Sequence, residues 1–361
     1  MLRRARRVRK HGFRRYKGDA EEICRRIIED CYDHEHKYLR VSAGHFCEYY
    51  VRDFAFCCEA LVKLGFSAQV RSTLEYALKR FRHAGITTAI DPDGVPFDYY
   101  LPSGPESIGL FLYSIRVTGN EDLARHEHAF LQRQVDRVKG MMDHHTLLPK
   151  GQYSTIRDQT RRRSSCYDMV MLAVVAREAG LLGLRFPHSE EDIRKRLIEE
   201  YWNGTYFFQD ITKQPIIVGD ANVFPFWTGV VDDKAMLDEA MTAVQTAGLD
   251  TPLPLRYVSA TDKKRERTGF HFSALLAPDY ETDSIWAHLG LAYVRVLTMH
   301  DPARARKHIE KYRKEIEQHR NFLEVYDSFG QPLRGQLYVT DESMLWCANW
   351  LALNKFSGLP S

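Results

Sequence analysis

Helical segments of two kinds alternate along this chain, and that alternation constrains the fold more than any other feature. Apolar residues recur at helix spacing over 20–36 (Ile23, Ile27, Ile28, Cys31), 53–64, 68–84, 104–117, 121–139, 165–179, 190–201, 232–247, 283–299, 302–320 and 341–353. Gly65, Gly85 and Gly180 close three of these segments, as glycine does where a helix ends in a left-handed residue. Ser189 is placed to cap the helix that begins at 190, and Pro302 stands in a first turn, where its missing N–H costs nothing. Met169–Ala176 and Ile285–Leu297 are apolar on nearly every face, whereas Asp122–Lys139 and Ala303–Arg320 are amphipathic and strongly charged. The first kind must be buried on most sides; the second needs one wet face. Short turns join many of them in pairs. An inner and an outer ring of helices satisfies the count, the alternation and the pairing. The expected fold is therefore all-α, an (α/α)6 toroid of helical hairpins. An open α-solenoid is the alternative, although no fixed-period repeat is visible. Strand patterns are confined to Tyr206–Phe208 and Gln214–Val218, read as one small β-hairpin at the rim, and 220–227 reads as a loop.

No Pro/Gly/Ser-rich linker divides the 361 residues. The organisation expected is a basic N-terminal extension over 1–18 and a single toroid over 19–361. A net charge of +3 is small for this length and gives the body no polyanion partner. The run Met1–Lys10 is the exception: it could touch nucleic acid, an anionic membrane or a partner, but reads most simply as a solvated tail. No apolar stretch follows it, so it is not a secretory signal, and no run of about 18 apolar residues exists to span a membrane. Seven cysteines, an odd number without CxxC spacing, fit a reducing cytoplasm. The fifteen histidines show neither HExxH nor a matching carboxylate pattern, so no metal and no cofactor is expected. No residue pattern specifies an oligomeric state.

Five loops are rich in acids, aromatics and arginine, the composition that binds sugar hydroxyls and stacks on sugar C–H faces. The first, Tyr49-Tyr50-Val51-Arg52-Asp53-Phe54, precedes an apolar helix. Here the chain resembles the helical-toroid glycosidases: glucoamylases, glycogen-debranching glucosidases, neutral invertases and glycoside hydrolase family 63. The resemblance implies that Arg52 and Asp53, with Tyr50 beside them, hold the sugar in the cleaved subsite. The second loop, Asp158 to Asp168, is similar to the stretch that carries the general acid of debranching-type enzymes. It implies Asp158 as proton donor and Asp168 as a supporting carboxylate, with Asp168 in reserve as the acid. The match departs at Thr155-Ile156-Arg157, where an aromatic-rich run is usual. Arg157 beside Asp158 would also lower a pKa that a general acid needs raised. The third, 201–210 with 220–227, resembles the Trp–turn–Asp and Asp-Ala-Asn elements of these families and offers Trp227 as a stacking surface. The fourth, 279–286, offers Trp286 as a platform for the ring. The fifth, Asn321 to Leu333, resembles the loop whose glutamate is the general base, which assigns that role to Glu324 with Tyr326 and Asp327 in support. In the same families the final inner helix carries a tryptophan, here Trp346.

The resemblance thus implies an inverting glycoside hydrolase acting on a short oligosaccharide or glycoside, α-glucosidic by analogy. The partner it implies is a carbohydrate substrate, with nucleic acid not expected except through the basic N-terminus. In such an enzyme the two carboxyls stand roughly 6.5–9.5 Å apart, to leave room for a water. The cluster Arg157, Arg161, Arg162, Arg163 suggests an anionic sugar instead. Rival readings on the same toroid are a sugar epimerase or isomerase using His271 and His288, a uronic-acid lyase using Tyr and Arg, and a non-catalytic carbohydrate-binding scaffold.

Overall fold

The computed structural model describes residues 2–98, 104–266, 279–335 and 337–356; the side chains of Leu2, Arg3, Tyr153, Asp158 and Gln159 lie outside that description. In chain order the helices are α1 (Leu2–His11), α2 (Ala20–Cys31), α3 (Val51–Lys63), α4 (Ser67–Ala84), α5 (Pro105–Val117), α6 (Glu121–His126) and α7 (His128–Val138). There follow α8 (Cys166–Leu181), α9 (Glu190–Tyr201), α10 (Gly219–Trp227), α11 (Lys234–Thr246), α12 (Ala287–His300), α13 (Pro302–His319) and α14 (Cys347–Phe356). Nine short strands sit between them among the described residues: β1 (Tyr32–Asp33), β2 (Tyr38–Leu39), β3 (Tyr49–Tyr50), β4 (Ala89–Ile90), β5 (Pro96–Phe97), β6 (Tyr153–Ser154), β7 (Arg157–Arg161), β8 (Ile285–Trp286) and β9 (Val325–Tyr326).

Six helices pack side by side in a closed circuit: α3 against α5, α5 against α8, α8 against α10, α10 against α12, α12 against α14, and α14 back against α3. Outside them lie α4 on α3, α7 on α5 and α8, α9 on α8, α11 on α10 and α12, α13 on α12 and α14, and α2 on α14 and α13. This is the all-α double ring that the alternation of helix types requires. The inner helices are enclosed on every face: every residue of α5 from Pro105 to Ile115 is buried, as is every residue of α8 from Cys166 to Ala176. The outer helix α13 buries only Ala305, His308, Ile309, Tyr312 and Ile316, one stripe at i, i+3, i+4 spacing. Ser189 caps α9 as expected, in a reciprocal box with Asp192.

Four features differ from the sequence reading. The segment 121–139 breaks at Glu127 into α6 and α7. The stretch read as a loop at 220–227 is the inner helix α10, short and with Pro225 inside it. The rim hairpin expected at 206–208 and 214–218 is reduced to single bridges, Trp202 to Phe207 and Val218 to Val258. There Asn222 takes a partner strand's place, accepting from the Phe207 N–H at 2.8 Å and donating to the Phe207 carbonyl at 3.2 Å. The two-residue ladders form elsewhere, as β1–β2, β3–β4–β5, β6–β7 and β8–β9. Finally, the basic run is not a solvated tail: it forms α1, whose Ala5 and Val8 are buried against Val339. No helix among the described residues is long and apolar enough to cross a membrane.

Candidate functional site

The inner helices all deliver chemistry at one end. Four of them place an acid in the first turn: Asp53 on α3, Glu106 on α5, Asp168 on α8 and Asp220 on α10, every one buried. The other two are preceded directly by a tryptophan, Trp286 before α12 and Trp346 before α14. A helix N-terminus favours negative charge, and here six of them converge.

At the floor lies His288, in the first turn of α12. Its ring is 4.8 Å from that of Trp346, 5.1 Å from Trp286 and 6.0 Å from Phe56. Tyr257 Oη is 3.3 Å from its Nε2. Burial, reinforced by the Arg52 charge, holds the imidazole well below its usual pKa, so the ring is neutral. The indole N–H of Trp346 donates to Asp53 Oδ1 at 2.9 Å. Arg52 donates to the Thr155 carbonyl at 3.0 Å, approaches Glu106 Oε1 at 3.5 Å, and lies 4.0 Å from Asp53. Tyr167 Oη donates to the same Glu106 oxygen at 2.6 Å. Desolvation pushes the Glu106 carboxyl up to about 7 against the pull of Arg52.

On one side of this floor stands the β6–β7 hairpin. Asp168 ties it to α8: its Oδ1 accepts from the Thr155 hydroxyl and, at 3.3 Å, the Thr155 N–H, and its Oδ2 accepts from Ser165 Oγ at 2.6 Å. Burial pushes Asp168 up to about 6 despite these donors. On the other side stands Glu324, carried by the chain just before β9. Its Oε1 accepts from Tyr280 Oη at 2.6 Å; its Oε2 accepts from Tyr338 Oη and, at 2.8 Å, from the Asp341 N–H. Desolvation and the neighbouring Asp341 charge push it up to about 7. Among the described residues Oε1 accepts one hydrogen bond, from Tyr280, which leaves a lone pair to receive a proton. A chain of contacts joins the two sides: Tyr280 packs on Trp286 at 4.6 Å, Trp286 on His288, and Tyr257 reaches from His288 to the Ile156 carbonyl at 3.5 Å.

The structure therefore joins Arg52, Asp53, Asp168, Trp286 and Glu324 in one network of contacts. Asp158 lies in β7, two residues beyond the hairpin turn, and its side chain is outside the described residues; His271 is outside them altogether. Tyr50 is half-buried beside Phe46 and Phe97, immediately before α3. Trp227 ends α10, one aromatic layer away from His288, against Phe56 at 5.1 Å and with Arg295 over its face. Tyr326 packs with Leu253, Ile285 and Leu323 in a separate small core. The basic cluster is divided. Arg157 and Arg162 are fully buried and share Glu266, each at 2.8 Å, while Arg161 and Arg163 are exposed. Arg157 and Arg162 are thus paired within the fold, two guanidiniums on one carboxylate with the Asp220 charge nearby. Sequence reasoning missed Glu106, Tyr280, Tyr338 and Tyr257. Glu106 had a signal: an acid opening a helix that is apolar all round cannot be a solvated first-turn acid.

No protein-family model matches the sequence, and no curated protein matches it. Solved structures do. A glycosidase in complex with glucose superposes at a TM-score of 0.69 with 14% identity, over 95% of this chain and 98% of that one. A rhamnosidase from Klebsiella oxytoca with rhamnose bound gives 0.65 and 13%, over 96% of this chain and 65% of that one. A GH63 mannosylglycerate hydrolase from Thermus thermophilus, in complex with Tris and D-glycerate, gives 0.63 and 11%, over 93% and 100%. The fold is that of the (α/α)6 glycosidases.

Proposed function

We propose that this chain is an inverting glycoside hydrolase of a short oligosaccharide or glycoside, with Glu324 as general base and Asp158 as general acid. The observation that carries the reading is the setting of Glu324. It is a buried carboxylate with a pKa near neutrality, oriented by two tyrosine hydroxyls and one backbone N–H, beside an aromatic-lined floor. In the reaction Glu324 takes a proton from water as the water oxygen bonds to the anomeric carbon. The bond from that carbon to the leaving oxygen breaks on the opposite face, its electron pair stays on the oxygen, and Asp158 supplies the proton. Arg52 and Asp53 hold ring hydroxyls, and Trp286 offers a stacking face. Asp168 anchors the hairpin from which the acid works. The assignment of Asp158 rests on its place in that hairpin, whose turn hydrogen-bonds Arg52 and Tyr257.

Two solved proteins of this fold hold glucose or rhamnose, which supports a neutral sugar, while the mannosylglycerate hydrolase with D-glycerate keeps a glycerate-linked one as the second reading. Arg157 and Arg162 are fully buried and turned to Glu266, so neither is an exposed docking point for an anionic sugar. An α-glucosidic bond is the preferred substrate. The seven unpaired cysteines, six of them buried, support a reducing cytoplasm as its setting.

The test is incubation with short α- and β-linked oligosaccharides, uronates included, followed by proton NMR of the released anomer. A sugar released with inverted configuration, lost in Asp158→Asn and in Glu324→Gln, supports the proposal. Epimer formed without cleavage would move the chemistry to His288. Binding without turnover that survives both substitutions would make the protein a scaffold.

A further inference from the structure

Glu324 takes two of its three donors from one short stretch of chain, and that stretch is held from outside by the N-terminal helix. Tyr338 and the Asp341 N–H both orient Oε2. The segment lies in no helix or strand. Its ties include the single bridges Arg334–Val339 and Leu323–Glu342, the Thr340 hydroxyl accepting from the Val325 N–H at 2.8 Å, the Asp341 carbonyl accepting from the Glu324 N–H at 3.1 Å, the Thr340 N–H donating to the Leu333 carbonyl at 2.9 Å, the Ser42–Phe46 turn on the Asp341 carboxylate, and α1. Across that helix, Arg4 donates through Nη1 to the Val339 carbonyl and through Nη2 to the Thr340 carbonyl, both at 2.8 Å, and its Nη2 lies 3.1 Å from Asp341 Oδ1. Arg7 pairs with Glu342 one residue further on.

We infer that Arg4 is a positioning residue for the general base: by pinning Val339, Thr340 and Asp341 it fixes the two donors that orient Glu324. The inference rests on the reading of Glu324 as that base. A planar guanidinium can bridge two successive carbonyls and a carboxylate, which an ammonium cannot do with one geometry. The groups facing Glu324 are Tyr280, Tyr338 and Asp341. Asp341 is in turn faced by Arg4, by the Ser42 hydroxyl at 2.6 Å and by the N–H groups of His45 and Phe46. Loss of Arg4 slackens two donors that favour the Glu324 carboxylate. It also leaves the Asp341 charge, which opposes that carboxylate, less compensated. Both effects raise the affinity of Glu324 for its proton.

The experiment compares Arg4→Met, Arg4→Lys, the exposed same-helix control Arg6→Met, and Glu324→Gln in the full chain, with the released sugar as readout. Arg4→Met is expected to lower kcat about tenfold with KM within about twofold, a loss of orientation rather than of substrate binding. Its acid limb of kcat against pH should move up by roughly half a unit or more. Arg4→Lys should recover part of the limb shift, and Arg6→Met should match the parent. Unchanged kcat and acid limb in Arg4→Met, with Glu324→Gln inactive, would overturn the inference alone. An active Glu324→Gln would overturn the assignment of the base and the inference with it.

Discussion

The indole of Trp346, directly before the last inner helix, donates its 2.9 Å hydrogen bond to Asp53 in the first turn of the first inner helix. One bond thus holds a proposed sugar-binding carboxylate and stitches the two ends of the ring. Trp346→Phe keeps an aromatic ring against His288 and removes the donor. A buried hydrogen bond to a charged group is worth about 1.5–3 kcal/mol. The variant should lose stability of that order in denaturant unfolding and bind sugar more weakly, raising KM before kcat.

Glu324→Gln keeps shape and removes the proton acceptor. A general base contributes about 10²–10⁴-fold, so kcat should fall within that range while the fold is retained. Because Glu324 is pushed up to about 7, its ionised fraction falls as pH drops below neutrality. Activity of the parent should therefore decline about tenfold per pH unit below neutrality. A rate that stays flat down to pH 5 would exclude Glu324 as the base.

Glu106 yields a stability prediction whose sign is fixed by burial. Its folded pKa of about 7 lies above the ordinary 4.5, so the folded chain binds this proton more tightly than the unfolded one. Stability from this group is therefore fully present at low pH and is lost as pH rises from about 4.5 through 7. Glu106→Gln cannot ionise. Its melting temperature relative to the parent should improve between pH 5 and pH 8, and thermal unfolding of both proteins at both pH values measures the difference.

Gly290 on α12 supports the back of the site. A Cβ there would come within 2.3 Å of both the Pro254 carbonyl oxygen and Tyr312 Oη, which are themselves joined by a 2.6 Å hydrogen bond. Gly290→Ala has to part that pair or shift an inner helix. Overpacking costs about 1–3 kcal/mol, and the loss should be visible in chemical denaturation.

The ring itself was legible because enclosed and half-exposed helices leave different sequences; Met169–Ala176 and Ala303–Arg320 need no structure to be told apart. Helix α10 was not, because nine residues that open on glycine and contain Pro225 carry too little periodicity. Its burial comes from the neighbours α8 and α12, which no local pattern encodes. Helix α1 was hidden by its arginines, since Ala5 and Val8 are a thin stripe and the acids that match its charge, Asp341 and Glu342, lie at the far end of the chain. Asp53, Asp168 and Glu324 could be picked as acids in aromatic or arginine-rich loops. Tyr280 and Tyr338, which give Glu324 its direction, could not, because only folding brings residues so distant in sequence to the same carboxylate.

Closure of the circuit by α14 against α3 also sets a timetable for synthesis. Until Cys347–Phe356 has left the ribosome, the earlier wedges have no keystone. The inner faces of α3 and α12 stay open to water, and with them the apolar surface that α14 later covers. Contacts between the first and last parts of a chain are the slowest to form, and a nascent chain that waits for them carries exposed core in the meantime. The ten residues of α14 thus decide when the inner faces of α3 and α12 are covered and the ring is closed.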